Sequence, residues 1–474
     1  MPGFIPLHPT HFKSGTGASQ PNLAQVDNTN FSFVTKNFDP ATDEVMNAHF
    51  HVPFMSNNNT WPARIAFRNS VTTNDVFFQM GHDSDQNSTT VSTTNATAQT
   101  TVRGTTLNLN STAFTPAVNT TANRMFFMNL VRDANHANDT ATDDTQLIQA
   151  FTRATASLTN LGIQEDGLPM AGFALPSAGS VTLTETYADP NDVDALSFPN
   201  GGGYAEYIFT LPQYYTGNLK ITTVIQPGDT GTTEWRHDLS YIGVGEAFDA
   251  AFSSGSAFTI TGGSATTFYF DTQRAVVAGA AAGDTVHLRV RRTANGTSTA
   301  AALLVGIQVS YDVGVSLGRL PLNPQSLVVP AASGGTIVQK QDTNSCYYVG
   351  RFASGATSNL CGQVALTTTS YAGGGKLKIR WIASGSGSLQ MKGLYAIMNM
   401  TTDVSTNPSA TDPGTVTTAA GGSGVLNETT IALGNPSLAA ASSFIAFVKF
   451  QRQSADTIPA NVEIVDAWWE FIPI

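Results

Sequence analysis

Two histidines one residue apart, His49 and His51 in the run AHFH, with His82 and Asp83 further on, are the first side chains here whose types and spacing could hold a metal ion. On an extended strand, positions i and i+2 share a face, so both imidazoles could reach one cation. A zinc site also takes a third or fourth ligand and supporting partners, which the surrounding sequence does not supply. The pair is therefore read as polar residues on the outer face of a strand, opposite Phe50 and Val52. The run Glu234-Trp235-Arg236-His237-Asp238 collects an acid, a base and a histidine. Consecutive strand residues point to opposite faces, so these cannot converge as a catalytic trio. Cross-strand ion pairs around a core tryptophan are expected instead.

The paired carboxylates Asp143-Asp144 and Asp83/Asp85 lack the loop spacing and the glycine of a calcium-binding EF-hand and read as solvated turn acids. Glycine triplets at 201–203 and 373–375 precede strand patterns rather than the helix N-terminus that cradles phosphate. No nucleophile elbow, phosphate-binding loop or dinucleotide fingerprint occurs. Cys346 and Cys361, without accompanying histidines, make neither a zinc site nor a CxxC pair and are expected as free, buried thiols. Asn87-Ser88-Thr89 and Asn295-Gly296-Thr297 match the glycosylation pattern, which arises by chance in so Thr- and Asn-rich a chain. The expectation is no catalytic residue, no metal and no cofactor.

The elements that carry these residues repeat. Residues 443–474 read as two strands joined by a polar turn, and residues 285–313 are a near-copy. In both, an alternating strand ends in basic residues (Arg291 and Arg292; Arg452), and a second strand follows that closes on aromatics. Residues 124–155 are a weaker third copy with Arg132 in the corresponding place. Pro-marked apolar openers recur as GFIPLHP, AGFALPS and SLVVPAA, and suit connectors or edge strands because proline removes a ladder donor. Later in each copy a Gly/Asn turn leads into an alternating strand, with Leu219-Ile221-Thr223 and Leu377-Ile379-Trp381 on one face and Lys220 and Lys378 on the other. Helix is confined to one-turn candidates such as TDEVMNA and NPSLAAASS.

Short strands, frequent turn residues and a period near 155 residues predict an all-β chain. It is read as three tandem antiparallel, jelly-roll-like sandwiches over residues 1–158, 159–314 and 315–474. Strung end to end, they would make a long, stiff object with accessible linkers.

Charged residues make up 12% of the 474 and the net charge is −11, so the clustered cations that bind nucleic acid are missing. No apolar run approaches the roughly 18 residues that span a bilayer, so no membrane is expected. The N-terminus shows no secretory pattern, and assembly from a host cytoplasm is expected. A surface of hydroxyls and amides costs little to desolvate and suits extended protein contacts, with a homotrimer favoured. Of Trp468 and Trp469, one is expected in the core and the other as an interface residue at a subunit or domain contact, since a tryptophan on the surface is rare unless something covers it.

Tandem sandwiches with an aromatic strand, an LKI-type strand (Leu219-Lys220-Ile221; Leu377-Lys378-Ile379) and a closing pair running from Arg291 or Arg452 resemble virion structural proteins of tailed bacteriophages. The resemblance implies a non-enzymatic capsid decoration (cement) protein whose partners are the major capsid protein or other virion subunits. The alternative is a receptor- or glycan-binding head or tail fibre. Such families bring no catalytic residues to carry over.

Overall fold

The computed structural model describes residues 4–9, 12–14, 19, 21–27, 31–51, 63–69, 74–86, 96–103, 110–114, 124–153, 163–178, 180–186, 193–263, 267–271, 279–314, 318–343, 345–367, 373–399, 410–434 and 443–472. Strands dominate, with 3-10 turns at Met170–Gly172 and Pro324–Ser326. Among the described residues no helix is long and apolar enough to cross a membrane.

The first module runs through β1 (Phe4–Leu7), β2 (Lys13–Ser14), β3 (Asn22–Asp27), β4 (Ser32–Phe38), β5 (Glu44–His51), β6 (Ala63–Asn69), β7 (Asp75–Gln86), β8 (Ala96–Arg103), β9 (Asn110–Phe114), β10 (Arg124–Arg132) and β11 (Thr145–Arg153). Its large sheet has the order β3-β4-β11-β6-β9, with β1 also on β11, and its small sheet the order β2-β5-β10-β7-β8. The first half of the chain thus meets the second in reverse: β7 with β8, β6 with β9, β5 with β10, β4 with β11. One long antiparallel hairpin rolled into two sheets in this way is a jelly roll.

The second module repeats the order with β12 (Ile163–Leu168), β13 (Thr182–Thr186), β14 (Val193–Phe198), β15 (Gly203–Thr210), β16 (Tyr215–Gln226), β17 (Thr232–Ile242), β18 (Phe258–Thr261), β19 (Tyr269–Asp271), β20 (Thr285–Arg292) and β21 (Ala302–Val313). The third does so with β22 (Gly318–Pro321), β23 (Thr336–Gln341), β24 (Cys346–Phe352), β25 (Ser358–Thr367), β26 (Gly373–Ala383), β27 (Ser388–Asn399), β28 (Thr415–Ala419), β29 (Asn427–Gly434), β30 (Ser443–Arg452) and β31 (Val462–Ile472). Each module buries its own core between its two sheets, around Phe38, Phe67 and Phe78, around Phe198 and Trp235, and around Phe352, Trp381 and Trp469.

The recurrent arginines hold these rolls shut. Arg132, Arg292 and Arg452 stand 160 residues apart and are almost wholly buried. Each donates to the carbonyl of the phenylalanine that ends the neighbouring large-sheet strand: Phe38, Phe198 and Phe352. Each also reaches carbonyls of the turn before the last strand, at Ala141 and Asp143, at Ala300, and at Ile458 and Ala460. Asp139 and Asp456 neutralise the first and third, while the second has Ser298 in that place. A planar guanidinium with five donors can satisfy several buried carbonyls at once, which lysine cannot.

Three expectations need correction. The segment TDEVMNA begins β5 rather than a helical turn, because Met46 and Ala48 alternate into the core. The Gly/Asn runs before the LKI strands are not turns but bulges inside β16 and β26, where the register with the last strand shifts and Asn218 takes φ 55°. Finally, the modules do not lie end to end.

Candidate functional site

The outer faces of the sandwiches pack on one another and close the three modules into a ring. Strand β5 of the first module lies against β14 and β21 of the second, β15 of the second against β24 and β31 of the third, and β25 of the third against β4 and β11 of the first. These are the same strands of the roll each time, the small sheet of one module against the large sheet of the next, so the ring has pseudo-threefold symmetry. A head-to-tail contact repeated three times closes on itself. This closure replaces the long, stiff object expected from the tandem repeat.

Each contact has an apolar centre. Phe127 meets Ala195, Val224, Phe268 and Val305 between modules one and two. Ile242 and Phe248 meet Tyr347, Val349, Ile382 and Val465 between two and three. Phe31, Phe33 and Ile148 meet Ala396, Met398, Ile445 and Phe447 between three and one, with the Phe33 and Phe447 rings 5.0 Å apart. Those that lie on strands, such as Phe33, Val305 and Val465, occupy outer positions, so these strands bury apolar side chains on both faces, as in a sheet covered on both sides.

Equivalent positions differ in chemistry. Counting along the small-sheet strand from its pairing with the buried arginine, His49, Ile208 and Gln363 correspond. His49 Nε2 sits 3.2 Å from the Val305 carbonyl, and Gln363 Nε2 donates to the equivalent Ile148 carbonyl at 2.5 Å. Ile208 joins the apolar cluster that contains Val465. Two residues earlier, Asn47 accepts from Asn129 at 2.9 Å, Glu206 pairs with Arg289 at 2.6 Å, and Cys361 stands opposite Lys449. An amide pair, an ion pair and a thiol are not interchangeable, so the three joints discriminate among modules of one shape.

The joint between modules two and three carries the most polar chemistry. Glu206 also accepts the Cys346 N–H, and Arg289 lies 4.6 Å from the Tyr204 ring centre and 4.0 Å from that of Phe252. Arg319 reaches the Thr210 carbonyl, pairs with Asp466 at 3.2 Å and stacks 4.1 Å over Trp468. Arg380 donates to the Gly283 carbonyl at 2.7 Å and pairs with Glu428 at 2.8 Å. Burial pushes the Glu206 and Asp466 carboxyls above the usual carboxylate range, against the pull of Arg289 and Arg319. A cavity of about 20 Å³ beside Glu206, Tyr207 and Asn323 has room for one water.

The side chains singled out by sequence are scattered over this frame. His49 is partly buried at the first joint rather than exposed, and burial lowers its pKa; the side chains of His51, His82, Asp83 and Asp85 lie outside the described residues. In the EWRHD run Trp235 is core, Asp238 pairs across strands with Arg291 at 3.2 Å, and Glu234 pairs with Arg236 at 3.7 Å. His237 turns inward and bonds Thr223 across the sandwich at 2.7 Å, with burial lowering its pKa to about 4. Asp143 and Asp144 flank the Arg132 clamp, through the Asp143 carbonyl, with burial raising the Asp144 carboxyl. Cys346 and Cys361 are free and buried. Trp469 is fully buried in the core, and Trp468, on the opposite face, is only 2% exposed. Trp468 thus lies at the contact between modules two and three, beneath Arg319, whose guanidinium reaches the Thr210 carbonyl of β15.

No protein-family model matches this chain, and no curated protein sequence matches it. Among solved structures, the tandem CBM22-1-CBM22-2 domain of Paenibacillus barcinonensis Xyn10C aligns with 67% of this chain and 100% of its own at 12% identity, with a TM-score of 0.23. The ANX2 ectodomain of Arabidopsis thaliana aligns with 64% and 90% at 10% identity, TM-score 0.22. A chain of the Sulfolobus Turreted Icosahedral Virus structure aligns with 96% and 91% at 8% identity, TM-score 0.15. The class defined here by strand order and joints is a single-chain ring of three jelly rolls.

Proposed function

We propose that this chain is a non-catalytic structural component of a virion, a decoration protein that seats on the capsid surface and stabilises it. The observation that carries the reading is ring closure: one polypeptide builds the pseudo-threefold body that a homotrimer of single jelly rolls would otherwise form. Such a body suits a seat among three neighbouring shell subunits, and the three distinct joints fix the order of modules around it. The ion pairs Glu206–Arg289, Arg319–Asp466 and Arg380–Glu428 sit at the joint between modules two and three, which gives these charged groups a structural role.

The test is to mix the purified chain with particles of the source that encodes it, stripped of the chain, and to sediment them. Saturable binding that raises the temperature of particle disruption supports the reading. No binding, or turnover of a glycan by the purified chain, refutes it.

A further inference from the structure

Each joint has at its centre one cross-strand pair of a small sheet, and the three pairs are not alike. Five residues before the clamping arginines stand Phe127, His287 and Phe447, and opposite them in register lie His49, Ile208 and Gln363. Phe127 and Phe447 fill the apolar centres of their joints. At the joint between modules two and three a histidine takes the place of that phenylalanine. His287 is 1% exposed, and its ring lies 4.6 Å from that of Phe248, 6.3 Å from Phe252 and, across the joint, 5.8 Å from Tyr347.

A buried imidazole normally bonds through at least one nitrogen. Neither nitrogen of His287 has a hydrogen-bond partner among the described residues. The charged groups around it make contacts of their own. Arg289, two residues on along β20, pairs with Glu206 of β15, and Asp238 of β17 pairs with Arg291. Asp249, next to Phe248, accepts from the Ser345 hydroxyl of module three, and Asp342 accepts from the Tyr347 hydroxyl. Lys340 and Arg351 pair with Glu463. The other joints are built differently: His49 Nε2 lies 3.2 Å from the Val305 carbonyl with the Asp194 charge nearby, so a protonated ring there keeps a bond and a counter-charge. The pair between modules three and one, Phe447 and Gln363, has no group that titrates.

We propose that the joint between modules two and three is an acid-opened seam in the ring, with His287 as its latch. The closed joint holds the imidazole dry and neutral, whereas the open joint gives it to water, so the proton binds the open form. Burial, and Arg289 after it, lower its pKa to about 3 from the ordinary 6.5. Below pH 6.5 the open form therefore gains up to about tenfold per pH unit until the closed form also titrates. Glu206, raised by burial, pulls the other way, and the histidine's own part is the difference from a chain that lacks it. The closed ring is thus the neutral-pH form, and it parts at one joint rather than three.

The two cysteines report on different joints. Cys346 donates its N–H to Glu206, and its sulfur accepts from Gln339, whose amide also reaches the Leu175 carbonyl of module two. Cys361 lies between modules three and one, against Ser32. The full chain is treated with dipyridyl disulfide, which still reacts with thiols in acid, and each labelling rate is divided by the rate in urea at the same pH. From about pH 8 to about pH 5 the Cys346 rate should rise about 30-fold, while Cys361 stays slow. His287→Phe, which copies Phe127 and Phe447, should remove the rise. Circular dichroism checks the fold, and should that variant fail to fold, His287→Leu must remove it instead. A Cys346 no faster in acid overturns the proposal. So does a Cys361 that quickens alongside it, which is unfolding rather than opening, and so does a variant without His287 that responds like the wild type.

Discussion

Replacing Arg452 by methionine should cost the third module most of its stability. The guanidinium donates to the carbonyls of Phe352, Ala353, Ile458 and Ala460 and pairs with Asp456, whose side chain is 2% exposed. Methionine fills the stem volume but strands the carboxylate, and an uncompensated buried charge costs about 3–5 kcal/mol. At least one carbonyl then stays unpaired at about 1–3 kcal/mol, for a total of about 4–8 kcal/mol. Arg292→Met is the internal comparison. It strands the Phe198 and Ala300 carbonyls but no carboxylate bonded to the guanidinium, so about 2–6 kcal/mol is expected, without the charge part. Urea unfolding read by tryptophan fluorescence reports the third module, which holds Trp381, Trp468 and Trp469. With a slope of about 2 kcal/mol per molar, Arg452→Met should lower the midpoint by about 2 M or more. Adding Asp456→Leu should recover the charge part, about 3 kcal/mol. An Arg452→Met midpoint within error of the wild type, or no recovery on adding Asp456→Leu, would refute the clamp.

Phe447→Ala should open the joint between modules three and one at a cost of about 3–5 kcal/mol, seen as faster hydrogen exchange in β4 and β25 with the β26–β31 core still protected. Acid should weaken the second module: His237 has its pKa lowered to about 4 and His287 to about 3, each by burial, so the unfolded chain takes up protons first. Stability contributed by these groups is intact above pH 6.5 and falls from there down to about 4 for His237 and about 3 for His287, and Thr223→Ile with His237→Met, which copies the Ile65 and Met80 pair of module one, should flatten the His237 part of that slope. Both thiols, pushed up to about 11 by burial, should ignore a disulfide reagent in the native chain and react twofold in denaturant; fast native reaction would contradict their placement.

Much of a single module is legible in the sequence. Arg132, Arg292 and Arg452 mark the closing hairpins, and Leu219-Ile221 and Leu377-Ile379 alternate as they do in the sheets. The ring is not legible, because a residue such as Phe33 or Val465 in an outer position looks the same whether a module or water covers it. For the same reason the sequence does not mark Trp468 rather than Trp469 as the one that meets a neighbouring module. The arginines read as the basic end of a half-solvated strand, since nothing local shows that the chain returns its carbonyls over them. A denser signal existed: β10 and β31 are apolar at consecutive positions, more than a one-sided sheet needs.

Imaging the native particle at a resolution that separates strands tests the central claim most directly. The account predicts a closed three-lobed body on the outer surface of the shell, all three lobes traced by one polypeptide in the order one, two, three. Three lobes contributed by three chains, an open string of sandwiches, or particles without the chain would contradict it.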